Sequence, residues 1–399
     1  MFKQKMNKYT RPLCRTERIY LVYHDLCPPF ANQIVLEGRG TFDVEKWRQA
    51  VQKASAANPG ARLALKGCWI GSHWVDSGIT PRVRVVNGLG WDGMGGPEGS
   101  PFEQGPLNPY DGTACEVVLI EGDPLRVAFR SHHAVMDGRA TLFWAEEIFR
   151  ALRGEPLLGS RSRLTELSMA RSFQKKGRIP PAHDFIGPTG RAQGTESGVI
   201  WRRLHLEGRY RNLVAQVAVI LAQSAWTYEA GNVRFGVSVD MRHRQPELRS
   251  TGNLTNLIYL NMLPGLTVDD VARDMTQQLE DKNDGMLYWG DRLIRYVPLR
   301  MLHGAVQQEI IEKHKTGRYR NSGIISNPGR LSLERLSCDT FALQTGFFIP
   351  PCQESLPIFI AMSGTEQCVE IMISMSRKLA CGGRMELLIE RLQKGLQPS

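Results

Sequence analysis

The segment LRVAFRSHHAVMDGRATLFWAEEIFRALRG (residues 125–154) constrains the fold most. Its alternating apolar run, LRVAFRSHH, reads as a strand. The run ends in His132 and His133, passes through Asp137-Gly138 and enters an amphipathic helix. On that helix Leu142, Ala145, Ile148, Phe149 and Leu152 share one face, and Gly154 stops it. The run CEVVLIEG, joined through Gly122-Asp123-Pro124, pairs with the strand. A chain that alternates strands with one-faced helices buries both by packing helices on a sheet.

The same alternation recurs along the sequence. NQIVLEGRGTF reads as a strand, and DVEKWRQAVQKASAANPG as a helix capped by Asp43 and ended by Pro59-Gly60. ARLALKGCWIGSHWVD reads as a hairpin. NGLGWDGMGGPEGS is a glycine-rich loop without the strand and helix flanks of a dinucleotide site. Between Gly154 and Gly198 the composition turns to Gly, Ser, Pro, Arg and Lys, with a short helix expected at 164–173. The second half restarts with the strand VIWRRLHL and a helix over 210–228. The strands VRFGVSVDM and NLIYLNML follow, then helices over 267–282 and 299–315. The strands GIISN, FALQTGFFI, PIFIAMS and VEIMISMS precede a last helix in GRMELLIERLQKGL. The expected class is mixed α/β in two lobes, 1–175 and 199–399, joined by a crossover at 176–198. A length of 399 residues suits two cores of about 200 residues each.

Successive strand residues point to opposite faces, so His132 and His133 do not act as a matched pair. One faces a cleft while the other packs behind it. A metal would need a third ligand, Asp137 is the only local candidate, and no helical i,i+4 pair is present, so no metal is expected. Gly138 is expected to supply a conformation or a close approach that a Cβ forbids. Asp137 is expected to anchor the turn on an arginine elsewhere. An imidazole held in this way is suited to proton transfer near neutral pH.

Lys and Arg number 50 against 40 Asp and Glu, a net charge of +10. That favours anionic partners. The cluster Lys3, Lys5, Lys8, Arg11, Arg15 and Arg18 reads as a solvated basic face, and no nucleic-acid module accompanies it. Eight scattered cysteines lack C-x-x-C spacing and read as reduced, mostly packed thiols. No apolar run approaches the roughly 18 residues of a membrane helix. The basic N-terminus lacks the apolar segment of a secretory signal. A cytoplasmic protein without nucleic-acid partners is expected.

His132-His133-Ala134-Val135-Met136-Asp137-Gly138 resembles the HHxxxDG signature of the condensation-domain and chloramphenicol-acetyltransferase-like acyltransferases. Other landmarks fall in the family's order and span nearly the whole chain. LEGRGTFDVEKWRQAV with NPGARL is similar to its N-terminal segment. VDMRHRQPELRSTGNLTNLIYL (Val239–Leu260) is similar to its second-lobe segment, and IISNPGRL (Ile324–Leu331) to a late strand ending in S-N-x-G. The plant-type D-F-G-W-G motif is absent. So is the E-G-H-G-R-E segment of epimerisation domains.

The resemblance implies two acetyltransferase-like lobes in a V-shaped pseudo-dimer, with the active-site tunnel between them. It implies that His133 is the base that deprotonates an acceptor hydroxyl or amine attacking an acyl thioester. His132, Asp137, Gly138 and Arg242 would support the site, with Arg244 as the alternative partner of Asp137. Ser326 or Asn327 would hydrogen-bond near the reacting carbonyl. No cofactor would be bound permanently. Coenzyme A or the phosphopantetheine arm of an acidic carrier protein would bring the acyl group to a small alcohol or amine. The chain is read as a free-standing, monomeric acyltransferase. Three alternatives stand beside it: a condensation enzyme joining carrier-bound groups as an amide, a catalytically silent homologue that recruits partners, and a membrane-associated lipid acyltransferase, which the basic N-terminus would suit although no strong amphipathic anchor accompanies it.

Overall fold

The computed structural model describes residues 8–173, 178–179, 184–288 and 293–398. The first half runs β1 (Thr10–Pro12), α1 (Arg15–Leu26), β2 (Ala31–Gly40), α2 (Val44–Ala57), β3 (Leu63–Lys66), β4 (His73–Asp76), β5 (Arg82–Asn87), β6 (Gly95–Gly96), β7 (Cys115–Glu121), β8 (Leu125–His132), α3 (Gly138–Leu152), α4 (Glu166–Ser172) and β9 (Arg178–Ile179). The second half runs β10 (Val199–Glu207), α5 (Leu213–Tyr228), β11 (Val233–Asp240), β12 (Thr255–Met262), α6 (Val268–Glu280), β13 (Leu287–Tyr288), α7 (Leu299–Thr316), β14 (Gly323–Arg330), β15 (Phe341–Ile349), β16 (Phe359–Gly364), β17 (Cys368–Ser376), α8 (Arg377–Ala380) and α9 (Arg384–Gly395).

Local chemistry fixes the helix ends. Asp43 accepts from the Lys46 amide at 3.1 Å and starts α2. Asp137 accepts from the Ala140 amide at 2.8 Å and starts α3. Gly154, just past α3, takes φ +72°, a conformation that stops a helix cheaply only when the residue is glycine. The buried face of α3 includes Leu142, Ala145, Ile148 and Phe149, while Leu152 is half-buried. Trp47 of α2 meets Phe149 edge-on at 5.4 Å, inside the first of two hydrophobic cores.

Two sheets organise the molecule: five strands ordered β15-β2-β8-β7-β5 and seven ordered β12-β11-β14-β16-β17-β10-β6. Each is completed by a strand from the other half. β15 pairs antiparallel with β2, setting Phe347 opposite Val35, and β6 pairs with β10 through Gly95 and Gly96. Nothing in the order of strands along the sequence signals this exchange. The side chains of Phe341, Phe347 and Phe348 therefore enter the first core. Part of the segment 176–198 lies outside the described residues, and its Ile186 packs into the second core.

The N-terminal basic cluster departs from the expected solvated face. Lys3 and Lys5 lie outside the described residues, but Arg11 and Arg18 are buried. Arg11 pairs with Glu17 at 2.6 Å and donates to the Val135 carbonyl in the histidine turn. Glu17 also accepts from Trp74 at 2.9 Å and from Asn253 of the second half at 3.2 Å. Polar residues appear here because α1 lies under neighbouring elements, where each buried charge needs a partner.

Candidate active site

β8 delivers His132 and His133 to the end of the first sheet. His132 is its last residue and fully buried, while the main chain turns so that His133 lines a cavity of about 750 Å³. Residues of both halves line that cavity, among them Tyr20, Asn32 and Phe30 from the first and Ser238, Asn256 and Ser326 from the second.

The His133 ring is fixed on three sides. Tyr20 stacks on it at 4.1 Å and 15°, and Phe30 lies 5.4 Å away at 28°. Its Nδ1 is 2.9 Å from Asn32 Nδ2 and 3.2 Å from the Met136 carbonyl oxygen. Asn32 Nδ2 also donates to that carbonyl at 2.7 Å, which fixes the amide orientation. Nε2 is left as the ring nitrogen available to the cavity. Burial pushes the imidazole below its ordinary range, against the Met136 carbonyl and Asp137, which raise it. That direction favours the neutral form of His133. His132 Nδ1 accepts from the Ala134 amide at 3.1 Å, its ring lies 4.3 Å from His24, and burial beside two imidazoles holds it well below its ordinary range.

Asp137 joins the turn to the second half. Arg242 donates to both carboxylate oxygens at 3.1 Å. The Leu254 amide donates at 2.7 Å and the Thr255 hydroxyl at 3.1 Å. Burial raises the carboxyl, but the Arg242 guanidinium and the Leu254 and Ala140 amides outweigh it and hold Asp137 below the usual carboxylate range. Arg244 goes elsewhere and pairs with Asp284 at 2.8 Å.

Gly138 departs from its expected role. Its φ is not in the left-handed region, and an added Cβ would meet Asn32 Oδ1 and Phe348 Cδ1 at 3.8 and 3.9 Å, ordinary contact distances. It lines the cavity, so the missing side chain leaves space there next to Asn32 and Phe348. Ser326 and Asn327 of β14 also line the cavity. Asn327 Oδ1 accepts from the Gly329 amide at 3.1 Å, at a bulge where pairing with β16 shifts register.

Tyr20, Phe30 and Asn32 were not found by sequence reasoning. Asn32 lies directly opposite Ser131 across β2 and β8, and the polar pair Asn32-Gln33 ahead of the apolar run Ile34–Leu36 is the one signal it left. Among the described residues, His205, Cys368 and Glu370 bring possible metal-ligand atoms within 4.8 Å of one another. The Glu370 oxygens already accept from Arg203 at 2.8 Å and from Thr345 at 2.8 Å, so its charge is satisfied without an ion.

No protein-family model and no curated protein sequence matches the chain. Solved structures do. The first condensation domain of the calcium-dependent antibiotic synthetase, in complex with a substrate analogue, superposes with TM-score 0.63 at 16% identity, covering 96% of this chain and 95% of its own. A variant of the starter condensation domain of rhizomide synthetase RzmA, in complex with C8-CoA and Leu-SNAC, gives 0.62 at 13%, covering 98% and 96%. Polyketide synthase associated protein 5 from Mycobacterium tuberculosis gives 0.61 at 13%, covering 96% and 97%. A likeness this complete at such low identity is one of architecture, and the fold of this chain is the mixed α/β fold of the condensation domains.

Proposed function

We propose that the chain transfers an acyl group from a thioester to a hydroxyl or amine, with His133 as the general base. The observation that carries this reading is His133 itself: an imidazole at a cavity, stacked on Tyr20, with Nδ1 3.2 Å from the Met136 carbonyl oxygen that Asn32 Nδ2 also bonds. In the working tautomer the proton sits on Nδ1, facing the Met136 carbonyl, and Nε2 carries the lone pair. Nε2 takes the acceptor proton as the acceptor oxygen or nitrogen attacks the thioester carbonyl. The C–S bond then breaks, and the proton passes to the departing thiolate. The products are an ester or amide and a free thiol. No acyl-enzyme is needed, because positioning, base assistance and stabilisation of the oxyanion suffice.

Asp137 is a positioning residue, with both carboxylate oxygens engaged by Arg242 across the halves. Ser326 and Asn327 are both candidates to donate to the developing oxyanion: Asn327 Oδ1 accepts from the Gly329 amide, so its donor would be Nδ2. The donor is an acyl-coenzyme A or an acyl-phosphopantetheine carrier, in keeping with the acyl-coenzyme A in the RzmA complex and the chain's charge of +10. The test is thiol release across acyl-coenzyme A and acyl-carrier donors, with alcohol and amine acceptors. Release by the native chain and none by His133→Ala supports the reading. No release from any donor, together with capture of a carrier protein, would favour the recruitment role instead.

A further inference from the structure

Two exposed turns stand together beside the cavity. One carries Trp69 and Ile70; the other spans Ile294–Tyr296. The Trp69 indole donates to the Tyr296 carbonyl at 2.8 Å. Beneath them, Arg18 donates to the Trp69 and Val297 carbonyls at 3.3 and 2.6 Å. Leu293, Ile294 and Val297 line the cavity together with Ile19 of α1, so the turns form part of its rim.

This rim exposes large apolar side chains that a packed surface would cover. Trp69 is 55% exposed, Ile70 51% and Leu293 53%; Tyr296 and, in the first turn of α7, Met301 are exposed as well. Single exposed apolar residues are ordinary, whereas a cluster of them marks an interaction surface. Trp69 also takes φ +50°, a left-handed conformation that is unfavourable for a bulky side chain. Its hydrogen bond to Tyr296 and the Arg18 contacts hold it there, with the indole at the surface. Strain kept without burial at a cavity rim points to function.

The charge around the rim identifies the kind of surface it fits. Residues 66–71 and 293–301 contain Lys66, Arg295 and Arg300 and no carboxylate. All three cations are exposed, and none has an ion-pair partner among the described residues. Arg295 lies over the Tyr296 ring at 4.7 Å. Tryptophan and tyrosine with aliphatic tips, surrounded by cations, make the composition that seats in the headgroup layer of an anionic bilayer.

We propose that this rim docks on an anionic lipid surface, so that a bilayer-dissolved acyl donor or hydroxyl acceptor enters the cavity directly from the lipid. The entry step rests on the acyl-transfer reading; the docking does not. An aqueous route would leave a long-chain substrate to cross water alone. The rim instead joins the lipid phase to the apolar cavity wall at Leu293, Ile294 and Val297.

The full chain is sedimented with vesicles of phosphatidylcholine, alone or with three parts in ten of phosphatidylglycerol. Binding to the mixed vesicles, weakening as salt rises, is expected. The double variant Trp69→Ser with Ile70→Ser is expected to bind roughly tenfold more weakly or less, and to melt at the native temperature. Because neither residue lines the cavity, that variant retains thiol release with a short, water-soluble acyl donor. Arg295→Ser with Arg300→Ser is a second variant, remote from the strained turn, and is expected to lose the preference for phosphatidylglycerol. Absence of native binding to mixed vesicles, or equal binding by native chain and both variants, overturns the proposal. So does loss of acidic carrier-protein binding in the variants with vesicle binding unchanged. If vesicle binding holds while no donor releases thiol, the docking stands and the acyl-transfer reading falls.

Discussion

At the scale of single residues, the site depends on how one imidazole is held. His133→Ala removes the proposed base but no buried ion pair, so the variant is expected to fold while transfer falls roughly 10²- to 10⁴-fold, measured as thiol release. Burial holds the His133 pKa below the ordinary 6.5 or so of a free imidazole. The rate is therefore expected to stay level above that pH and fall only at lower pH, as Nε2 takes up a proton; an acid limb centred above pH 7 would contradict the assignment. Gly138→Ala separates space from backbone. Its Cβ meets neighbours at ordinary distances, so a thermal melt should be nearly unchanged, whereas kcat/KM should drop roughly tenfold or more as the methyl group enters the cavity. His133, Asp137 and Gly138 were legible because the motif is contiguous. Asn32, Tyr20 and Phe30 were not, because they reach the imidazole from elements about a hundred residues upstream.

At the scale of elements, sequence pattern located most helices and strands. α2, α3, α5, α6, α7 and α9 follow apolar periodicity with capping or stop residues, and the β7–β8 pair follows strict alternation. α1 was missed. Its buried face includes Glu17 and Arg18 beside Leu21 and Val22, so charges occupy positions that an amphipathic pattern gives to apolar residues. The element is held by ion pairing as well as apolar contact. Glu17→Ala leaves Arg11 charged and unpaired in the interior, and a loss of about 3–5 kcal/mol is expected in urea unfolding. Because Arg11 also donates to the Val135 carbonyl, the same variant is expected to lower transfer by loosening the histidine turn.

At the scale of the whole molecule, the halves are joined by more than covalent continuity. β15 and β6 cross between sheets. A buried chain of charges also runs from Arg126 to Glu37 at 2.7 Å, from Glu37 to Arg203 at 2.9 Å, and from Arg203 to Glu370 at 2.8 Å. The Asp137–Arg242 pair adds a second link beside the cavity. Asp137→Ala is therefore expected to cost stability, about 3–5 kcal/mol, as well as activity, unlike His133→Ala. Acid should act on the whole fold. Burial lowers the folded-state pKa of His24, His132 and His133, so the folded chain binds fewer protons than the unfolded one. Stability is then full above about pH 6.5 and declines as pH falls through that value, with Asp137 adding to the loss below about pH 4. Urea midpoints at pH 7.5 and 5.5 measure the first effect, and the lower midpoint is expected at pH 5.5.

The sequence by itself determined the alternation of strands and helices, the histidine turn and its caps, and the order of landmarks along the chain. These depend on side-chain period, capping chemistry and contiguous spacing, which act over a few residues. Only the tertiary structure decided that β15 completes the first sheet, that Arg242 rather than Arg244 meets Asp137, that α1 is buried through paired charges, and that Gly138 provides space rather than backbone freedom. Each of these depends on which surfaces meet in the folded chain, and a buried charge or an absent methyl group gains its meaning from a partner far away in sequence.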